Sequence, residues 1–209
     1  MDKKIALIGF IVIATVALIY LSLSGPKMFY PEALPPADLS TSSARPELPP
    51  GHPEVPGVAD TAIQAPDFKV TDLQGHDLSL RELRGKAVLI NFWSTSCPPC
   101  IIEMPSLAKL NRLMAGQPFQ ILAVTADSRR TVEAFLKEIP LDLPIYLDTS
   151  HQAHDQFGVY LFPESYIIAP DGKVDNHVLG AADWSHSSVL EYFQKLIAAA
   201  APPAQTTTP

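Results

Sequence analysis

The chain has 209 residues, 47% of them apolar, which suffices for one packed domain with extensions. Its 15 Lys and Arg against 22 Asp and Glu, a formal net charge of -7, argue against a nucleic-acid partner, because neutralising phosphates needs clustered basic residues. The 21 prolines gather outside the middle of the chain, so the globular part is smaller than the whole.

Lys3 and Lys4 precede an uncharged run from Ile5 to Ser24, about 20 residues and roughly 30 Å as a helix, enough to cross a bilayer. Residues 1–24 are therefore expected to be a membrane anchor, with its N-terminus held in the cytoplasm by the lysines and the remainder sent outward. A cleaved signal is the alternative, since Ser22-Leu23-Ser24 offers small residues for a cut. The expected location is a single-pass inner-membrane protein whose domain lies in the periplasm or extracytoplasmic space, where oxidised thiols persist. Residues 25–61, rich in Pro, Ser and Ala and without apolar periodicity, predict a linker of polyproline character. Residues 62–200 alternate like a folded domain, and the tail 201–209 is too polar and too broken by proline to pack.

Within the domain, "FKVTDL" and "HDLSL" flank Gln74-Gly75 and predict a hairpin. "KAVLINFW" is a continuous apolar run, the pattern of a central strand covered on both faces. A helix over Pro98 to Met114, the strand "FQILAVTA", the helix "RRTVEAFLKEI" and the strand "LPIYL" follow. A short helix over Gln152 to Phe157 leads to "ESYIIA" and "GKVDNHVLG", joined through Pro170-Asp171-Gly172, and a last helix runs from about Trp184 to Ala199. The order predicts an α/β fold: a central mixed sheet with helices on both faces, an added N-terminal β-hairpin, and an antiparallel final pair of strands.

Both cysteines lie in "NFWSTSCPPCIIEMP", where the central strand gives way to a helix. Cys97 therefore falls at or near the helix N-cap, where free amides and the macrodipole favour a thiolate. The dipole alone is worth about one pKa unit at best, so a larger shift needs specific hydrogen bonds. Pro98 and Pro99 have no N–H to give, which leaves Cys97 few donors and its reduced form poorly stabilised. Glu103, one turn beyond Cys100, adds a charge that also disfavours a nearby thiolate. The residues point to a dithiol that gives up electrons. Three other readings stand beside this one: a structural disulfide, which would remove little entropy over so short a loop; a metal site, for which the nearest ligands, His151 and His154, have the wrong spacing and read as solvated helix residues; and two inert thiols.

"APDFKVTDLQGHDLSLRELRGKAVLINFWSTSCPPC", Pro105 and "GVYLFPESYIIAPDGKV" together resemble the membrane-anchored, thioredoxin-like thiol–disulfide oxidoreductases of the TlpA and ResA type, including the cytochrome c maturation branch of CcmG and DsbE. The resemblance covers about Ala65 to Ala199. It implies a thioredoxin-like fold with no cofactor beyond a redox-active Cys97–Cys100 disulfide, and no metal. Cys97 would be the exposed nucleophile and Cys100 the shielded partner that resolves the mixed disulfide. Glu103 would assist deprotonation of Cys100. Pro163, in cis, would present backbone to an extended substrate, with Glu164, Phe162 and Trp93 as further candidates at the substrate site. Three positions depart from the family pattern. Asn91 stands where thioredoxin has a buried aspartate, Ser96 replaces the aromatic residue usual before the first cysteine, and Phe162 is bulkier than expected before the cis-proline.

The expected activity is reduction of disulfides in protein substrates outside the cytoplasm, the haem-binding CxxC of apocytochromes c among the candidates, with a membrane protein supplying electrons. The alternatives are an oxidant that inserts disulfides, a thiol peroxidase, for which Ser94 fits a motif position three residues before the cysteine, and a tethered binding module with an inert disulfide.

Overall fold

The computed structural model describes residues 34–39 and 64–200. The expected anchor, most of the linker and the tail lie outside the described residues, and no helix among the described residues is long and apolar enough to cross a membrane.

The elements follow the predicted order. A hairpin pairs β1 (Lys69–Asp72) with β2 (Asp77–Ser79), turning through Gly75 at φ 94°, a value that glycine reaches without a Cβ clash. A 3-10 turn, Leu80–Leu83, follows. The sequence reading missed it, although Ser79 and Glu82 form a capping box there. Then come β3 (Ala87–Phe92), α1 (Pro98–Leu113), β4 (Phe119–Thr125), α2 (Arg129–Glu138), β5 (Ile145–Leu147) and α3 (Gln152–Phe157). β6 (Glu164–Ile168), β7 (Val174–Leu179) and α4 (Ser187–Ala200) complete the domain.

The seven strands form one sheet in the order β2-β1-β5-β4-β3-β6-β7. β3 runs parallel to β4, and β4 to β5, whereas β6 and β7 are antiparallel to their neighbours. All six residues of β3 are buried, Asn91 the one polar side chain among them, as the apolar run predicts for a strand with covered faces. Its side chains alternate between two cores. Ala87 and Leu89 join Met104 and Leu107 of α1 and Val189 and Phe193 of α4. Val88, Ile90 and Phe92 join Phe157 of α3 and the hairpin residues Phe68 and Val70.

Three expectations need correction. Part of the segment read as a linker, residues 34–39, packs on the domain: Ala37 is 5% exposed and Leu39 lies against the α1–α4 core. The last helix starts at Ser187, not near Trp184. Trp184 is fully buried, and its N–H bonds to the Ser106 hydroxyl instead of opening a helix. Trp93, a candidate for substrate contact, has 0% exposure and packs on Phe135 at 5.5 Å between ring centroids. An indole sealed in the core cannot touch a substrate; it fixes the end of β3 instead.

Because β3 holds both cores, Ile90→Ala should destabilise the domain by about 2 to 5 kcal/mol, the range for truncating a buried aliphatic side chain. Urea unfolding measures this, and a loss under about 1 kcal/mol would contradict the placement of β3 at the centre.

Candidate active site

The site begins where β3 ends. Trp93 N–H bonds to the Val124 carbonyl at 3.0 Å, after which the chain leaves the sheet. The loop to Cys97 is tied down by Asp127, whose Oδ2 accepts from Thr95 N at 2.7 Å and from the Ser94 hydroxyl at 3.3 Å. Cys97 is the N-cap of α1, extended at φ −101° and ψ 102°. Pro98 and Pro99 occupy the first two positions of the helix, which suit a residue with fixed φ and no N–H. The first amide available to Cys97 Sγ is that of Cys100, at 3.3 Å.

Cys97 and Cys100 form a disulfide. Cys100 has no exposed surface, while Cys97 is half-buried amid exposed Ser96, Pro98 and Pro99. An incoming thiol or disulfide can therefore meet only the first sulfur. This asymmetry fits a nucleophile and a shielded partner.

Glu103 is fully buried on the inward face of α1 and is no solvated helix carboxylate. Asn91 Nδ2 donates to its Oε1 at 2.8 Å, while Ala182 N and Trp184 Nε1 donate to its Oε2 at 3.1 and 3.0 Å. Asn91 spends its other amide hydrogen on Ser165 Oγ at 2.9 Å. The residue that replaces thioredoxin's acid thus serves as a holder of this one. Burial pushes Glu103 up to about 7 from an ordinary 4.5, although the hydrogen bonds from Asn91, Trp184 and Ala182 pull it back. A carboxyl that titrates near neutrality can take and return a proton.

The Phe162–Pro163 peptide bond is cis. β6 lies antiparallel to β3 with Glu164 opposite Phe92, so Pro163 and Phe162 run on beside the stretch that leads to Cys97. Pro163 is buried and its carbonyl accepts from Gly180 N at 2.9 Å. Lacking an N–H as well, Pro163 has little backbone left to offer a substrate, which corrects the expectation placed on it. The neighbouring Phe162 is 37% exposed, and its main chain makes no backbone hydrogen bond among the described residues. Beside it Leu161 is 49% exposed. Glu164 is no surface charge: it is fully buried, with Tyr166 Oη donating to Oε1 at 2.6 Å and His177 Nε2 lying 2.9 Å from the same oxygen.

His154 was expected in solvent and is instead 6% exposed. Asp148 Oδ2 lies 2.7 Å from its Nδ1 and accepts its backbone N–H at 3.0 Å. Burial raises the Asp148 carboxyl, but the bonds from His154 outweigh that and hold it below the usual range. The anchored imidazole meets Phe92 and Phe162 edge-on, at 4.9 and 5.9 Å between centroids, and so props the Phe162 ring. The sequence carried no signal for this support, nor for Ala182 and Trp184 around Glu103, because each partner is distant along the chain or indistinguishable from core.

A model of the AhpC/TSA family matches residues 62–177, more than half of the chain. The chain is 34% identical over 134 residues to the thiol-disulfide oxidoreductase ResA of Bacillus thuringiensis subsp. konkukian, covering 64% of this chain and 76% of that protein. To the ResA of Halalkalibacterium halodurans it is 36% identical over 142 residues, 67% of this chain and 78% of the relative. The chain belongs to the ResA-like thiol–disulfide oxidoreductases. The fold agrees: a thioredoxin-family thiol:disulfide interchange protein from Chlorobium tepidum superposes with a TM-score of 0.54 at 24% identity, over 64% of this chain and 94% of that one. Membership makes the sheet a thioredoxin-like fold and the chain a thiol–disulfide oxidoreductase.

Raising the Glu103 carboxyl from 4.5 in the unfolded chain to about 7 in the fold means that the folded state holds this proton more tightly. Its contribution to stability is complete below pH 4.5 and is lost as pH rises through 7, a difference of about 3 kcal/mol. The Glu103→Gln variant should lack this loss. Denaturant unfolding of the oxidised protein and the variant at stepped pH measures the difference, and parallel pH dependences would contradict the assignment.

Proposed function

We propose that the chain is an extracytoplasmic reductant of protein disulfides, with Cys97 as nucleophile, Cys100 as resolving thiol and Glu103 as the proton acceptor for Cys100. The observation that supports it best is the paucity of donors at the first sulfur: two prolines leave Cys100 N as the first helical amide that reaches Cys97 Sγ. A thiolate with few donors is a poor anion, so the dithiol is the higher-energy form and passes its electrons on.

The Cys97 thiolate attacks one sulfur of the substrate disulfide; a bond forms between Cys97 and that sulfur, and the other leaves as a thiolate that takes a proton from water. Cys100 then gives its proton to the Glu103 carboxylate and attacks Cys97 Sγ, releasing the second substrate thiolate and closing the Cys97–Cys100 disulfide. Two electrons have passed to the substrate. Restoring the dithiol requires an external thiol reductant, and a membrane protein with a reactive cysteine pair fits the expected anchor. An extended substrate would pair with the main chain of Phe162, whose backbone groups are not engaged by other backbone, in the manner of strand addition. The exposed Leu161 and Phe162 side chains would flank it. The haem-binding CxxC of apocytochromes c, once oxidised, is a substrate of this kind. Buried Glu164 would act by holding the strand behind Pro163.

Restoring amides tests the reading. Pro98→Ala and Pro99→Ala should each lower the Cys97 pKa by about one unit, since a hydrogen bond to a charged group is worth about 1.5 to 3 kcal/mol. Thiolate absorbance on the reduced proteins reads the value; a wild-type Cys97 already below about 5 would contradict the proposal. In a second experiment, Glu103→Gln should slow attack by Cys100 on a Cys97 mixed disulfide roughly 100-fold or more near neutral pH, as loss of a general base does. Attack by Cys97 should change far less. Equal slowing of both steps would assign Glu103 to the fold and not to the resolving thiol.

A further inference from the structure

Two of the three hydrogen bonds on the Glu103 carboxylate come from one short loop, through Ala182 N and Trp184 Nε1. That loop follows β7 and precedes α4 and belongs to neither. The residue between the two donors, Asp183, is gripped by the chain's own N-terminal segment. Its N–H bonds to the Pro35 carbonyl at 2.6 Å and its carbonyl accepts from Ala37 N at 3.4 Å, so that Pro36 and Asp183 form a parallel bridge. Ala37 is 5% exposed, and Leu39 packs on the core beside it. From the other side, the Ser106 hydroxyl accepts from Trp184 N at 3.0 Å and lies 3.3 Å from the Ala182 carbonyl. Glu103 and Ser106 are neighbours on α1, so the loop is clamped between the active-site helix and residues 34–39.

We propose that residues 34–39 are a positioning strap for the active-site carboxylate: by bonding both backbone groups of Asp183, they hold the flanking donors on Glu103. The strap stands in the same compact unit as the domain, although nothing in its Pro-rich composition separates it from the rest of the predicted linker. Its consequence is that release of the segment loosens the bed of the proton acceptor without touching either cysteine. Among the described residues no charged side chain contributes to the Glu103 environment, which consists of burial and three neutral donors. The Cys100 thiol of the reduced state, three residues away on the same helix, is the titratable group nearest in sequence. The strap concerns the state of Glu103 itself; only its effect on catalysis rests on the role proposed for that residue.

The test uses the full chain in its oxidised form, labelled with 13C at the glutamate carboxyls, and follows the Glu103 titration by NMR. Ala37→Pro removes the N–H that Asp183 accepts, Ala37→Asp forces a carboxylate into a closed site, and Ala37→Gly retains both the N–H and the space. The expected result is a Glu103 midpoint moved upward by about one pH unit or more in the first two variants, the size of one lost hydrogen bond to a charged oxygen. Exchange of the Asp183 amide should accelerate at least tenfold alongside it, and the glycine variant should match the parent. A downward shift in both variants contradicts the strap, because withdrawn donors leave the buried carboxyl with fewer bonds to its charged form. An unchanged midpoint in both variants, or an Asp183 amide that stays protected in both, overturns the proposal. If the midpoint moves but attack by Cys100 keeps its rate and pH profile, the strap stands and the reading of Glu103 as proton acceptor fails.

Discussion

A sulfur at the head of a helix is held as an anion by the amides that point at it, and at the head of α1 two of those amides do not exist. Pro98 and Pro99 supply the fixed φ that starts the helix while withholding its donors, so the geometry that gives Cys97 its exposure also denies its thiolate support. The macrodipole remains, but at about one pKa unit at most it cannot replace missing hydrogen bonds. The direction of electron flow proposed here follows from that deficit.

The second sulfur poses the opposite problem. Cys100 has no exposed surface, which protects the mixed disulfide from stray thiols but removes the water that would take its proton. In the proposed mechanism Glu103 answers this from within the same core. Its position depends on the whole architecture: Asn91 reaches it from the central strand, Ala182 and Trp184 from the loop after β7, and α1 carries it one turn beyond the cysteine. A buried carboxyl left without those donors would be driven still higher by desolvation and would seldom be charged. The three bonds hold it near neutrality, where it can exchange a proton in either direction.

The apolar runs and turn residues announced nearly every element, because β3 is apolar but for Asn91 and the glycines at 75 and 172 mark turns with positive φ. The cysteine motif was equally plain, since its chemistry is written in adjacent residues. What the sequence hid were relations between distant positions. Glu103 looks like any helix carboxylate until Trp184, 81 residues away, is seen to donate to it. His154 reads as a polar helix residue, and only the fold reveals Asp148 behind it and Phe162 before it. Trp93 misled in the other direction: its place beside the motif suggested contact with substrate, whereas an indole at the end of a covered strand goes inward. Residues 34–39 have the composition of a tether, and no local pattern marks these six residues as ones that dock.

The midpoint potential of the Cys97–Cys100 couple, measured by equilibrium with glutathione or dithiothreitol, tests the central claim most directly. A thiolate short of donors predicts a reducing couple near the thioredoxin value of about −270 mV. A value approaching about −120 mV, that of a strong oxidant whose reduced form is well stabilised, would contradict it.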